Sequence, residues 1–92
     1  MDEDKLIRAA QGGDRDAMGM LFATHYEGVR RLIATVIGPD AELDDITQDV
    51  FIQAFISLRK FRKESSLSTW LHRIAVHCAL SRLRGHVTRR KI

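Results

Sequence analysis

Apolar positions repeat at helical spacing along most of the chain, and the longest repeat lies between two glycine breaks. It begins after Asp14, whose carboxylate can accept the free N–H groups of a helix start. It ends at Gly38-Pro39-Asp40, because proline cannot continue the hydrogen-bond ladder. The repeating side chains lie every three or four positions: Ala17, Met18, Leu21, Phe22, His25, Tyr26, Val29, Leu32, Ile33 and Val36. This pattern predicts one long helix, with His25 as a hydrogen-bonded core side chain rather than a ligand.

Shorter repeats on both sides of this segment predict two more helices. The first runs from Asp2 to Gln11 and stops at Gly12-Gly13, a pair that favours a helix end. The second runs from about Asp40 to Leu58, and the Asp40 side chain can cap its first turn.

A fourth helix is predicted to begin near Leu67, with Ser66 or Ser68 as its cap, and to end near Arg84, where Gly85 follows. A chain of 92 residues supports one domain with one modest core. Its 45 % apolar residues, six glycines and one proline favour helices over a β-sandwich or a disordered chain. The predicted fold class is therefore all-α, as a compact four-helix domain.

No apolar run approaches the roughly 18 residues that span a bilayer, and the acidic start Met1-Asp2-Glu3-Asp4 lacks the basic and apolar parts of a signal peptide. We therefore expect a cytoplasmic protein. The single cysteine, Cys78, has no partner at disulfide or metal-ligand spacing, so we expect it to be a small core residue.

The charge of the chain is divided unequally between its halves. Residues 1–50 carry 5 Lys/Arg against 11 Asp/Glu, whereas residues 51–92 carry 10 against 1. A solvated surface would mix both signs, so this asymmetry indicates a basic second half that binds nucleic acid or a membrane surface.

The third helix carries two different faces. Its core stripe is predicted to contain Leu43, Ile46, Thr47, Val50, Phe51, Ala54, Phe55 and Leu58. A second face joins acids and an amide to two β-branched residues: Asp45, Gln48, Asp49, Ile52 and Ile56. Either the first helix covers Ile52 and Ile56, or this face docks a basic, helical partner.

A basic loop precedes the fourth helix and continues onto one of its faces. Phe61 lies among Arg59, Lys60, Arg62 and Lys63, which combines charge for a phosphate backbone with a π-face for a base. The alternative is that Phe61 folds back onto the helices as an apolar lid.

On the fourth helix, a core stripe is predicted for Leu67, Leu71, Ile74, Ala75 and Cys78, and a second face carries Arg73, His77, Ser81 and Arg84. Trp70 lies at the boundary of the two, as a core anchor or as a stacking surface. The helix start, Leu67-Ser68-Thr69-Trp70-Leu71, offers a major groove no base-reading Arg, Asn or Gln. This favours single strands, or a base extruded from a duplex.

Three ordered motifs resemble the bacterial extracytoplasmic-function (ECF) sigma factors. The stretch from Leu43 to Phe51 resembles their acidic helix "aeDlvQevF", and Phe61 to Ala75 is similar to their segment "FrgessfsTWLyrIArN". The opening from Ala10 to Phe22 follows the pattern "a..GD..Af..Lf..y". The resemblance covers nearly the whole chain.

The resemblance implies that residues 1–92 form a four-helix sigma region 2. It implies attachment to RNA polymerase and capture of the non-template strand of the promoter minus-ten element. Asp45, Gln48, Asp49 and Ile52 would then belong to the face that docks on the β′ clamp helices. The DNA-binding residues would be Arg59, Lys60, Phe61, Arg62, Lys63, Ser65, Ser66, Trp70, Arg73, His77 and Arg84. An anti-sigma factor that covers these surfaces is a further expected partner.

The chain also departs from the family pattern. His77 stands where the family often has Asn, and an imidazole cannot copy the paired donor and acceptor of an amide. Trp70-Leu71 replaces the two adjacent tryptophans of larger sigma factors, so we expect weaker melting and more stringent promoters. The chain ends at Arg89-Arg90-Lys91-Ile92, where we expect a linker to begin; the region 4 domain that reads the minus-35 element is absent from this sequence.

An enzyme is not expected, because the sequence shows no nucleophile with a paired base and no phosphate-binding glycine loop. No metal or cofactor is expected either, since His72 and His77, five positions apart with Cys78 beside the latter, diverge on a helix. The remaining alternative function is a protein-interaction domain that binds an acidic or helical protein partner without DNA recognition.

Overall fold

The computed structural model describes residues 2–38 and 42–91, with side chains as far as residue 85. Four α-helices follow one another: α1 (Glu3–Gln11), α2 (Arg15–Ile37), α3 (Leu43–Ser57) and α4 (Leu67–Lys91). A 3-10 turn, Leu58–Lys60, continues α3 before the loop that leads to α4. The prediction of an all-α, four-helix domain is confirmed.

Side chains cap three of the helix starts, because the first N–H groups of a helix have no partner within it. The Asp2 carboxylate accepts from the N–H of Asp4 at 3.2 Å, and that of Asp14 accepts from the N–H of Ala17 at 3.1 Å. At the start of α4 the Ser66 hydroxyl accepts from the N–H of Thr69 at 3.1 Å. Of the two serines proposed as caps, Ser66 is therefore the one that caps α4.

The helix ends differ from the sequence predictions in two places. The α1–α2 turn agrees with the prediction: Gly13 adopts φ +104°, a backbone conformation that favours glycine. The third helix starts at Leu43 rather than near Asp40, and the proposed break at Pro39 and cap at Asp40 lie outside the described residues. The prediction that Gly85 ends α4 is wrong, since the helix continues to Lys91. One glycine costs a helix only about 1 kcal/mol and does not by itself terminate it.

The core lies around α2, which packs against each of the other three helices. Its most deeply buried side chains come from α2, α3 and α4 and include Leu21, Ile33, Val50 and Leu71. The buried hydroxyl of Thr47 donates to the carbonyl of Leu43 at 2.8 Å, so its polar group is satisfied. Cys78 is buried in this core, as predicted, and burial followed by the nearby Asp49 carboxylate raises the pKa of its thiol.

Polar pairs join the helices around this core. His25 on α2 is half-buried, with Nε2 3.2 Å from a carboxylate oxygen of Glu3 on α1, which confirms its prediction as a hydrogen-bonded side chain. Arg30 on α2 donates to Asp44 on α3 at 2.8 Å, and this bond raises the pKa of the guanidinium. Both pairs fix the orientation of a neighbouring helix on α2.

Among the residues that the structure describes, no helix is both long and apolar enough to cross a membrane. Within the same part of the chain, no three His, Cys, Asp or Glu side chains lie close enough together to hold a metal ion.

Candidate nucleic-acid interface

Phe61 is buried at the start of the loop between the 3-10 turn and α4, with only 7 % of its surface exposed. Its ring packs on the indole of Trp70, with centroids 5.1 Å apart and planes inclined by 42°. The expectation that Phe61 offers an open π-face is therefore wrong, and the alternative in which it folds back on the helices is the one observed. Packing the Phe61 ring on the helices removes its apolar surface from water, which favours the folded-back conformation.

The two aromatic rings form one wall of a surface pocket of about 180 Å³. Its other lining side chains are polar or charged: Lys60, Arg62, Glu64, Ser65 and Arg73. Trp70 is half-buried, so part of its indole faces this pocket. The structure thus brings together six of the residues that the resemblance assigns to DNA binding: Lys60, Phe61, Arg62, Ser65, Trp70 and Arg73.

Glu64 is a member of this pocket that the sequence reasoning did not single out. Glu64 is the only acidic residue among residues 51–92, and this isolation in sequence could have marked it as a candidate site residue. An ionised carboxylate accepts hydrogen bonds and donates none, so it favours a ligand edge that carries N–H donors. Exocyclic amino groups of nucleic-acid bases are donors of this kind.

Lys63 and Arg59 do not line the pocket. Lys63 adopts φ 60°, which is uncommon for a residue with a side chain, and its ammonium lies 3.8 Å from Asp4 on α1. Arg59 instead lines a separate groove that borders the α1–α2 turn and the end of α3. Of the basic residues predicted for this loop, Lys60 and Arg62 therefore face the aromatic pair and the others lie to its sides.

The two loop serines make local hydrogen bonds. Ser65 donates to the carbonyl of Ser66 at 3.2 Å. Ser66 donates to the Thr69 hydroxyl at 2.9 Å while it caps α4. Both serines shape the turn that leads into α4. The start of α4 in turn sets the positions of Trp70 and Arg73 on the helix.

Farther along α4, Arg73, His77 and Arg84 are exposed, as their helical spacing predicted. Arg73 and His77 border a shallow groove that continues to Leu80, which is 43 % exposed, and to Leu32 on α2. The basic face thus includes apolar surface that the sequence analysis did not assign.

The outer face of α3 is open to solvent. Asp45, Gln48 and Asp49 are exposed, and Ile52 and Ile56 expose 57 % and 70 % of their surfaces. The hypothesis that α1 covers the two isoleucines is therefore wrong. Large apolar side chains on an exposed helix face that also carries acids are typical of a protein-docking surface.

Phe55 corrects the predicted core stripe of α3, because 53 % of it is exposed. The core side of α3 is filled by Val50 and Ala54, and Leu58 of the 3-10 turn continues it, so the buried stripe is narrower than the one assumed and leaves Phe55 outside. Phe55 instead lines an apolar groove of about 490 Å³ between α2 and α3. The other lining residues are Phe22, Ala23, Tyr26, Gln48, Phe51 and Ile52.

Aromatic packing gives this groove its floor. The ring of Phe51 lies 5.1 Å from that of Phe22 and 5.6 Å from that of Tyr26. Both neighbours are on α2, so the floor is held by two helices and does not depend on a loop. Gln48 and Ile52, predicted as docking residues, line its α3 side.

Asp49 points to the opposite edge of α3. Its carboxylate lies 3.4 Å from Arg82 on α4, and the same guanidinium donates to Glu42 at 2.7 Å. Asp49 therefore also fastens α3 to α4, a role that the sequence analysis did not predict because the two residues are 33 positions apart.

The Sigma-70 region 2 family profile matches residues 21–89 of the chain. The ECF RNA polymerase sigma factor SigM of Mycobacterium tuberculosis is 36 % identical over 80 residues, which are 87 % of this chain and 41 % of that protein. The ECF RNA polymerase sigma-E factor of Escherichia coli is 33 % identical over 79 residues, or 86 % of this chain and 41 % of that protein. The chain thus spans about two fifths of the length of these relatives.

Solved structures give the same result for the fold. An engineered region 2 of sigmaE in complex with GTAAAA superimposes with a TM-score of 0.91 at 29 % identity, over 100 % of this chain and 96 % of that one. CnrH in complex with the cytosolic domain of CnrY superimposes with a TM-score of 0.77 at 26 % identity, over 96 % of this chain and 62 % of that one.

Proposed function

The chain belongs to the Sigma-70 region 2 family, as a region 2 domain of the ECF sigma factors, and we propose that it docks on RNA polymerase and captures the non-template strand of the promoter minus-ten element. Residues 1–92 form this one domain. It contributes no chemistry of its own: the polymerase makes RNA in the cytoplasm, and this domain supplies attachment and strand capture.

The observation that carries the proposal is the pocket beside the Phe61–Trp70 pair. It combines an aromatic wall with Lys60, Arg62 and Arg73, so it can attract a phosphate backbone and hold a base at the same place. A related region 2 of the same fold was solved in complex with GTAAAA, which supports DNA as the ligand of this surface.

The size of the pocket favours an unpaired base over a duplex. About 180 Å³ is room for one flat ring system, and a paired base cannot enter it without leaving the stack. Unstacking costs a few kcal/mol, and stacking on protein aromatics returns about 1 to 3 kcal/mol per base. The buried Phe61 holds the half-buried Trp70 in place, and Trp70 presents the indole surface to the base.

His77 and Arg73 extend this contact along α4. Arg73 lies both in the pocket and in the groove that leads to His77, so a strand that leaves the pocket can follow the helix. Arg84, about two turns beyond His77 on α4, is exposed on the same side. We assign the guanidinium groups to phosphates and the His77 imidazole to a base edge.

The polymerase side of the proposal rests on α3. Asp45, Gln48 and Ile52 are exposed, and Phe55 adds apolar surface to the groove beside them. Apolar anchors with acids at their edge suit a helical partner that carries basic residues, as proposed for the β′ clamp helices. An anti-sigma factor is a second proposed partner, supported by the solved complex of CnrH with the cytosolic domain of CnrY.

Nuclear magnetic resonance of the ¹⁵N-labelled chain tests the DNA side. We expect titration with single-stranded GTAAAA to shift the amide signals of the loop and of Arg73 and His77, together with the Trp70 indole signal. Signals of Asp45 and Ile52 on α3 should stay in place and provide the internal control. Shifts confined to α3, or equal shifts with duplex DNA, would count against strand capture and favour a protein-interaction domain.

A further inference from the structure

Gln11, the last residue of α1, donates from its side-chain amide to two backbone carbonyls of another part of the chain. Nε2 lies 3.0 Å from the carbonyl oxygen of Leu58 and 2.9 Å from that of Phe61. These acceptors are 47 and 50 positions away in sequence and belong to the 3-10 turn and the first loop residue. The amide has two N–H donors, which allows both bonds at once.

The two carbonyls belong to the first residue of the 3-10 turn, Leu58, and to the residue that follows the turn, Phe61. Leu58 also accepts from the N–H of Phe61 at 3.1 Å, which closes the 3-10 turn. The carbonyl of Phe61, the first residue after the 3-10 turn, accepts the second hydrogen bond from Gln11. The Gln11 amide therefore holds the backbone of Phe61, the residue whose ring contacts Trp70.

A second contact links α1 to the same loop. The Lys63 ammonium lies 3.8 Å from Asp4, and Lys63 occupies the left-handed backbone region. Both contacts are made by a helix that contributes no residue to the pocket beside Phe61 and Trp70. Helix α1 therefore contacts the loop at two points without lining the pocket.

We propose that Gln11 is a positioning residue for base capture, which sets the place of Phe61 and so the orientation of Trp70 at the pocket. This inference rests on the proposed function, because base capture is the activity that it deepens. It assigns a role in DNA binding to α1, a helix on the acidic half of the chain and outside the pocket.

Two substitutions separate the hydrogen bonds from the volume of the side chain. Gln11→Met keeps the length and removes both donors. Gln11→Glu keeps the shape but places an ionised carboxylate against two carbonyl oxygens, where it can donate nothing. Below the pKa of a glutamate, about 4 to 5, the carboxyl group carries one O–H donor and can restore one bond.

The measurement is the affinity of the full chain for a fluorescently labelled GTAAAA single strand, with Trp70 emission recorded in the absence of DNA. We expect Gln11→Met to bind the single strand about five- to tenfold more weakly. The reason is that the two neutral hydrogen bonds that hold the Phe61 backbone in place are lost. Gln11→Glu should show at least the same loss at about pH 7 and regain part of it at about pH 4, where much of the introduced carboxyl group is protonated, relative to the wild type at each pH. Thr24→Glu, which adds the same charge at an exposed position of α2, is the control and should show neither effect.

Trp70 is the one tryptophan of the chain, so its emission reports the loop directly. Affinity of Gln11→Met within twofold of wild type, with unchanged Trp70 emission, would overturn the inference. If the wild type binds no single strand, the proposed function fails; a shifted Trp70 emission in Gln11→Met would still support the loop-positioning part, and an unshifted one would overturn it. Should Gln11→Met not fold, the pH-dependent recovery of Gln11→Glu decides in its place, since a purely destabilising change gives no recovery on acidification.

Discussion

The Phe61 ring and the Trp70 indole are in contact at a centroid distance of 5.1 Å, across the loop that joins α3 to α4. Phe61 is buried and Trp70 half-buried, so the two rings have different tasks. Phe61 belongs to the core and supports the indole of Trp70, whereas Trp70 has exposed surface that a ligand can contact. This relationship changes how mutations of the loop have to be interpreted.

Phe61→Ala is expected to destabilise the domain by about 3 kcal/mol or more, because it removes a buried ring from the core. Urea unfolding followed by Trp70 fluorescence measures this. Phe55→Ala is the matched control: the same substitution at a half-exposed ring should cost less than about 1 kcal/mol. Equal costs at the two positions would contradict the assignment of Phe61 to the core.

The apolar groove between α2 and α3 is expected to contribute most of the affinity for core polymerase. We predict that Ile52→Ser and Phe55→Ser each weaken binding by about tenfold, since central apolar anchors dominate helix-in-groove interfaces. Both side chains are exposed, so the free energy of unfolding should change by less than about 1 kcal/mol.

Met20→Ser provides the control for this prediction. Met20 is 50 % exposed on α2 but does not line the groove. Binding of labelled variants to core polymerase, measured by fluorescence anisotropy, should leave this variant at wild-type affinity. A loss for Met20→Ser equal to that for Ile52→Ser would remove the groove as the docking site.

Arg82 is expected to couple α3 to α4 through Glu42 and Asp49. A double-mutant cycle of Arg82→Met and Glu42→Gln should give a coupling free energy of about 0.5 to 1 kcal/mol, the range of partly exposed ion pairs. The coupling should decrease in high salt, because such pairs are screened. Chemical unfolding at low and high salt measures it; a coupling that does not change with salt would contradict an ionic origin.

The Cys78 thiol is expected to react slowly with iodoacetamide in the folded protein. Burial, followed by Asp49, raises the pKa of the thiol, and the thiolate is the nucleophile. Because the folded pKa lies above the unfolded one, the stabilising contribution of the neutral thiol is complete below the unfolded pKa. It is lost as the pH rises through the folded value.

Cys78→Ala should therefore lose less stability than the wild type between neutral and alkaline pH. Thermal unfolding of both proteins across that range measures the difference. Parallel losses for the two proteins, or alkylation of native Cys78 as fast as in urea, would show that the thiol is not shielded.

Much of the fold could be predicted from the sequence because it depends on local patterns. The apolar repeat of α2, the Asp14 and Ser66 caps and the Gly12-Gly13 turn are short-range signals, and the structure follows them. Gly85 misled the prediction because one glycine favours a helix end without forcing it.

The parts of the site that were missed depend on distant contacts. The sequence left open whether the loop residue Phe61 faces solvent or folds back on the helices. Its burial depends on where Trp70 lies once α3 and α4 have packed. The same holds for Phe55, whose exposure depends on how α2 and α3 pack, and for the bonds from Gln11. No local periodicity encodes contacts across 30 to 50 positions, and the family resemblance did not supply these contacts either.

The salt dependence of DNA binding is a direct test of strand capture by this domain. Anisotropy of labelled GTAAAA should give a plot of log affinity against log salt with a slope of about −2 to −3.5, as three to five neutralised phosphates predict for a single strand. Trp70→Ala should weaken this binding at every salt concentration without changing the slope, because stacking involves no counterion release. We predict tighter binding to the single strand than to the same sequence as a duplex. A slope near zero, or a preference for the duplex, would contradict strand capture.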